Sequence, residues 1–111
     1  MATIDDDDRP IRRNRRPSHP GAILKGLFID PAGVSIAEMA RIIGVSTKHL
    51  SQIVHGHARI SPGIAGKLGR VFGSGATIWL QLQADVDAWD ADQEQSAWTP
   101  SRTFTAQLEL A

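Results

Sequence analysis

The chain has no cysteine, no long apolar run and almost no acid in its middle. The first absence excludes a disulfide framework and any cysteine-ligated zinc site, and fits a reducing compartment. The second excludes a membrane-spanning helix, which needs roughly 18 uninterrupted apolar residues. The N-terminus is acidic and then basic, with no apolar stretch of the kind a signal peptide needs. The expected location is therefore cytoplasmic, with no membrane partner. There is also no internal repeat. The 111 residues, 41% of them hydrophobic, provide for one small core.

The third absence is the informative one. Formal net charge is zero, but the charges are segregated. Between Arg9 and Arg70 the only acids are Asp30 and Glu38, against a long series of lysines and arginines. The acids lie at Asp5 to Asp8 and in the cluster Asp85, Asp87, Asp90, Asp92 and Glu94. A basic body between acidic ends points to an anionic partner, and a solvated surface is the plain alternative.

Residues 1–17 hold four aspartates, five arginines and little to bury, and read as a disordered charged arm. The body, 18–92, is punctuated for helices. The first is expected near Pro20, capped by Ser18 or His19, with an apolar stripe of Ile23, Leu24, Leu27 and Phe28; "DPAG" at Asp30 ends it. Ser35 and Glu38 have capping-box spacing ahead of a second helix, which Gly44 stops. Ser46 caps a third, from Thr47 to His55, closed by Gly56. Ser61-Pro62 opens a fourth, with Ile64, Ala65, Leu68, Val71 and Phe72 as its buried face. A fifth spans about Ala76 to Asp90, with Ile78, Trp79, Leu82, Val86 and Trp89 at helical spacing. The extension 93–111 ends in "TFTAQLEL", whose alternation is a strand pattern. Its fates are a strand added to a partner's sheet, pairing across a dimer, or disorder.

Two short helices joined by the glycine turn "GVS" make a helix-turn-helix candidate. At 100° per residue, Leu50, Ile53 and Val54 share one side of the second helix. Lys48, Ser51, Gln52 and His55 share the other, with Thr47 at the tip and His49 near the boundary. Lysine donates to guanine acceptors, and glutamine pairs with adenine through both amide atoms. An ordinary amphipathic surface helix has a similar face. The acid-free run from Arg41 to Arg59 and the basic loop "HGHAR" favour DNA.

Four stretches resemble the HigA/VapI-type antitoxins within the phage-repressor-like (XRE/Cro) helix-turn-helix regulators. They are "HPG" at His19 to Gly21, "GVS" at Gly44 to Ser46, "HGHARISP" at His55 to Pro62 and "WLQLQADVDAW" at Trp79 to Trp89. The resemblance covers about residues 16–90. It implies an all-α, five-helix fold, a DNA-binding homodimer, repression of a shared operon and a cognate toxin, usually a small ribonuclease. It implies that Thr47, Lys48, His49, Ser51 and Gln52 meet bases, and that His55, His57 and Arg59 meet phosphates. Arg41 joins the phosphate set on charge and place. A near-palindromic double-stranded operator follows from a dimer. The alternative is a stand-alone repressor without a toxin. The chain departs from the family pattern at Ala22, where an acid is usual, and at Gly26, Gly63 and Gly66, which imply looseness or close helix approach.

No enzyme, cofactor or metal is expected. The histidines His49, His55 and His57 have no cysteine or acid near them in sequence. "FGSGA" lacks the lysine and the strand of a phosphate loop. The tract Arg12 to Arg16 reads either as an arm along DNA or as a solvated tail. The acids of Asp85 to Glu94 read either as a toxin-facing surface or as a solvated helix end.

Overall fold

Helix α1 starts where proline costs least. Pro20 has no N–H to lose at the first turn, and His19 Nδ1 accepts the Gly21 N–H at 2.9 Å. His19, not Ser18, is thus the cap. This is a computed structural model describing residues 15–105. The readings placed on Asp5 to Asp8, Arg12, Arg13 and the last residues of "TFTAQLEL" lie outside it.

The first helix runs through "DPAG" instead of ending at Asp30. It comprises Pro20–Leu24, a π-helical stretch Lys25–Ile29 and a final turn Asp30–Ala32, closed by Gly33 at φ 73°. The widened turn has a cause in the sequence. Pro31 has no N–H to return, and its ring would crowd the carbonyl four residues back. In the π stretch the Asp30 N–H reaches instead to the Lys25 carbonyl. The altered angular step also carries Leu27 off the expected apolar stripe, and it is 65% exposed.

Helices α2 (Ile36–Ile43), α3 (Thr47–Val54), α4 (Pro62–Phe72) and α5 (Thr77–Glu94) follow. The Ser35, Ser46 and Ser61 hydroxyls accept from the N–H groups of Glu38, His49 and Ile64 at 3.0, 3.0 and 3.3 Å. The Ser35 box is one-sided, because the Glu38 carboxylate turns to Arg41. Helix α3 ends at Val54, with His55 as its C-cap, and α5 runs past Asp90 to Glu94. Among the described residues there are five helices and no strand; Thr103 to Thr105 carry no ladder. An alternating pattern needs a second strand to pair with, and there is none among the described residues.

The core is one cluster drawn from all five helices, including Leu24, Met39, Ile43, Leu50, Ile53, Leu68 and Trp79. Phe28, Phe72 and Trp79 form a tilted aromatic trio, with Phe28 centroids 4.6 Å from Phe72 and 5.2 Å from Trp79. The Trp79 indole N–H donates to Ser74 Oγ at 3.1 Å, so this ring belongs to the core. Val71, expected on the buried face of α4, is exposed, as is Ile78 on α5. Each lies roughly a quarter turn from the middle of its helix's buried stripe.

The close-approach reading of Gly26, Gly63 and Gly66 is corrected. A methyl group built on any of the three would meet nothing within 4 Å. Gly66 sits inside α4 and bears the entropic cost of glycine with no packing return. Gly66→Ala should stabilise the domain by about 1 kcal/mol, read as a higher denaturant midpoint at unchanged slope. An unchanged or lower midpoint would mean α4 tolerates no added bulk there.

Candidate nucleic-acid interface

Helix α3 is held on its inner side and free on its outer one. Leu50, Ile53 and Val54 are buried, while Thr47, Lys48 and Gln52 are exposed and His49 and Ser51 half-buried. The turn before it is short because Gly44, at φ 86°, takes the left-handed step that ends α2. Ser46 caps α3 one residue after Val45. Helix α1 crosses behind α3 so closely that a methyl group on Gly21 would sit 1.8 Å from the Ile53 carbonyl oxygen. The five residues expected to meet bases therefore share one short, rigidly backed helix.

The basic loop after α3 is ordered from both sides. The N–H groups of His57 and Ala58 donate to the Gln52 carbonyl at 2.8 and 3.2 Å, with Gly56 at φ 79° making the turn. His55 Nδ1 lies 2.7 Å from the Ser51 carbonyl, so this nitrogen donates and Nε2 is left outward. His57 is exposed. Arg41, at the end of α2, is exposed and shares its charge with Glu38.

Arg59 does not stand free. Its Nη1 and Nη2 donate to the two oxygens of Asp87 on α5, at 3.1 and 2.7 Å. Gln83, on the buried side of α5, accepts the Ile60 N–H at 2.8 Å and donates to Asp87 at 3.0 Å. One turn further, Arg16 donates from Nε and Nη2 to the two oxygens of Asp90, both at 2.8 Å. Arg16 is thereby tied to the helical body. Of the acidic cluster, Asp87 and Asp90 are each paired with an arginine, and Asp85 accepts from Gln81 at 3.0 Å.

Sequence reasoning passed over Gln83. Its signal was available: it lies four residues after Trp79 and three before Val86, so it falls on the buried stripe. A glutamine there needs partners on both amide atoms, and it has them.

The hydrogen bond from Arg59, with help from Gln83, holds the Asp87 carboxyl below its ordinary value against a smaller desolvation effect. Arg16 does the same for Asp90. His19 sits at the junction, its ring 3.9 Å from where a Gly56 methyl would be. Burial first, and then Arg16, push its imidazole below 6.5; Asp87, the Ala58 backbone and Asp90 pull the other way. A lowered value means the native state holds fewer protons than the unfolded chain. The His19 contribution to stability is therefore whole above about pH 6.5 and is lost as pH falls through the native value. Protonation also removes the lone pair that caps α1. His19→Asn, a cap that does not titrate in this range, should flatten the stability profile between pH 7.5 and 5. A profile as steep as the parent's would remove His19 as its source.

No helix of the described residues is long and apolar enough to cross a membrane, and no group of three or more candidate ligands there can hold a metal. Two helices joined by a tight glycine turn, the second with its polar face outward, define a helix-turn-helix DNA-binding domain. Residues 28–79 match the helix-turn-helix family model. An uncharacterised helix-turn-helix transcriptional regulator of Haemophilus influenzae is 35% identical over 73% of this chain and 76% of its own. Antitoxin HigA-1 of Vibrio cholerae is 33% identical over 71% and 74%. The solved structure of Pseudomonas aeruginosa antitoxin HigA with the higBA promoter has a TM-score of 0.70 and 34% identity, covering 73% of this chain and 88% of that one. The chain belongs to this helix-turn-helix family, in the branch that contains the HigA antitoxins.

Proposed function

We propose that this protein is the DNA-binding antitoxin of a toxin–antitoxin pair. It binds a near-palindromic operator as a homodimer, represses the operon it shares with its toxin, and neutralises that toxin, a small ribonuclease. The observation that carries the reading is the outer face of α3. It is acid-free, rich in hydrogen-bonding groups, capped at Ser46 and followed by an ordered basic loop. Thr47, Lys48, His49, Ser51 and Gln52 read bases. Arg41, His55, His57 and Arg59 meet phosphates and supply affinity and salt dependence. Two copies place their α3 helices about 34 Å apart, one DNA turn. Binding alone accounts for all of this, and no catalysis is assigned.

Expressing the small reading frame beside this gene, alone and with this protein, tests the toxin half. Growth arrest that this protein relieves, with copurification of the pair, is expected. No arrest and no complex would leave a stand-alone repressor, as the match to a protein named only as a transcriptional regulator allows.

A further inference from the structure

Helix α5 bears a carboxylate that holds the loop following α3. Asp87 grips Arg59 through two hydrogen bonds and is itself aligned by Gln83, which is only 4% exposed. The same glutamine holds the Ile60 N–H. Residues 59 and 60 are thus fixed to α5, and residues 57 and 58 to the end of α3. A solvated surface arginine would need none of this.

We infer that Asp87 is a positioning residue for DNA binding, acting through Arg59. The inference rests on the DNA-binding reading above and adds a residue to it. A guanidinium has five N–H donors. Asp87 occupies two, one on each terminal nitrogen, and leaves three on a side chain that is 62% exposed. Held this way, the fork presents its remaining donors from a fixed place beside the recognition helix. A free arginine has to be ordered when it meets a phosphate; this one is ordered beforehand, so less rotamer freedom is lost on binding. Gln83 extends the same logic one step into the core.

Charge alone predicts the opposite sign. Asp87 is an acid near a polyanion, and removing an acid ordinarily strengthens DNA binding. The two accounts therefore separate in one measurement. The full chain would be titrated by fluorescence anisotropy onto a duplex spanning the promoter upstream of its own gene, and onto a random duplex of equal length. Asp87→Asn should weaken both by about tenfold per copy, and so about a hundredfold for the proposed dimer, the scale of one charge-assisted phosphate contact in each subunit. Arg59→Ala should do the same, and the double variant should be no weaker than Arg59→Ala. On an Arg59→Lys background, which keeps the charge but lacks the fork, Asp87→Asn should no longer weaken binding and should leave it unchanged or slightly tighter. Thermal melts run beside the titrations set a temperature at which every variant is folded.

Tighter or unchanged binding by Asp87→Asn would overturn the inference, as would losses that multiply in the double variant. If the parent binds neither duplex at low salt, the DNA-binding reading fails first and takes this one with it.

Discussion

Replacing Gly21 by alanine should cost the domain about 3 kcal/mol or more, out of a total that is ordinarily 5–15 kcal/mol. The new methyl carbon would lie 1.8 Å from the Ile53 carbonyl oxygen, 2.6 Å from its carbon and 3.0 Å from Val54 Cα. All three are backbone atoms, so no rotamer change relieves the clash. Helix α1 would have to move off α3 by more than an ångström. That motion opens the core between Leu24 and Ile53, both fully buried, and tilts the recognition helix. The melting temperature should fall by roughly 12 to 24 °C, and operator affinity should fall with it at temperatures where the variant is partly folded. A melting point within a few degrees of the parent's would mean that the α1–α3 crossing has slack these distances do not show. Gly66→Ala, identical in composition, is the matched control with the opposite sign.

That contrast marks what is legible in the sequence. Caps and stops are local: Ser35, Ser46, Ser61, Gly44 and Gly56 signal their roles within three or four residues, and all hold them. The polar and apolar sides of α3 follow from the helical step alone, and they too are as expected. What depends on two distant segments meeting is not readable this way. Nothing around Gly21 says that Ile53 will press on it, and nothing near Gly66 says that it will stand in open space. Arg59 and Asp87 are 28 residues apart, and Arg16 and Asp90 are 74 apart. In one dimension, therefore, the acids looked like a free surface and the arginines like free cations. The π turn lies between these cases. Pro31 announces a disturbance, but a helix can answer it by stopping or by widening; here it widens, with Ile29 buried in the core. Of the candidate interface, the outward polar side of α3 was visible from periodicity and residue type. The support behind it, Gln83 and Asp87, appeared only when α5 was laid against the loop.

The double variant Lys48→Ala/Gln52→Ala should lose about a thousandfold in affinity for the operator while losing little on random DNA. A good side-chain-to-base pair is worth about 1–3 kcal/mol of discrimination. The proposed homodimer would repeat each substitution in both half-sites, so four contacts would disappear together. Even at the low end, about 1 kcal/mol each, the loss is about 4 kcal/mol, which is roughly three decades. Stability is not the route, because both side chains are exposed and alanine is the better helix former; the melting point should stay within a degree or two. The salt dependence separates the two residues. Gln52 is neutral, so Gln52→Ala alone should lower operator affinity without altering the salt slope. Lys48→Ala should reduce the slope by about one per copy if its ammonium displaces a counterion. Under the proposed assignment, binding to random DNA rests mainly on Arg41, His55, His57 and Arg59, which both variants retain. Equal losses on operator and random duplexes would reduce α3 to an electrostatic surface and move sequence reading elsewhere. With no loss on either, the helix-turn-helix would be a fold kept for contact with protein, and the toxin would be the first partner to test against that face.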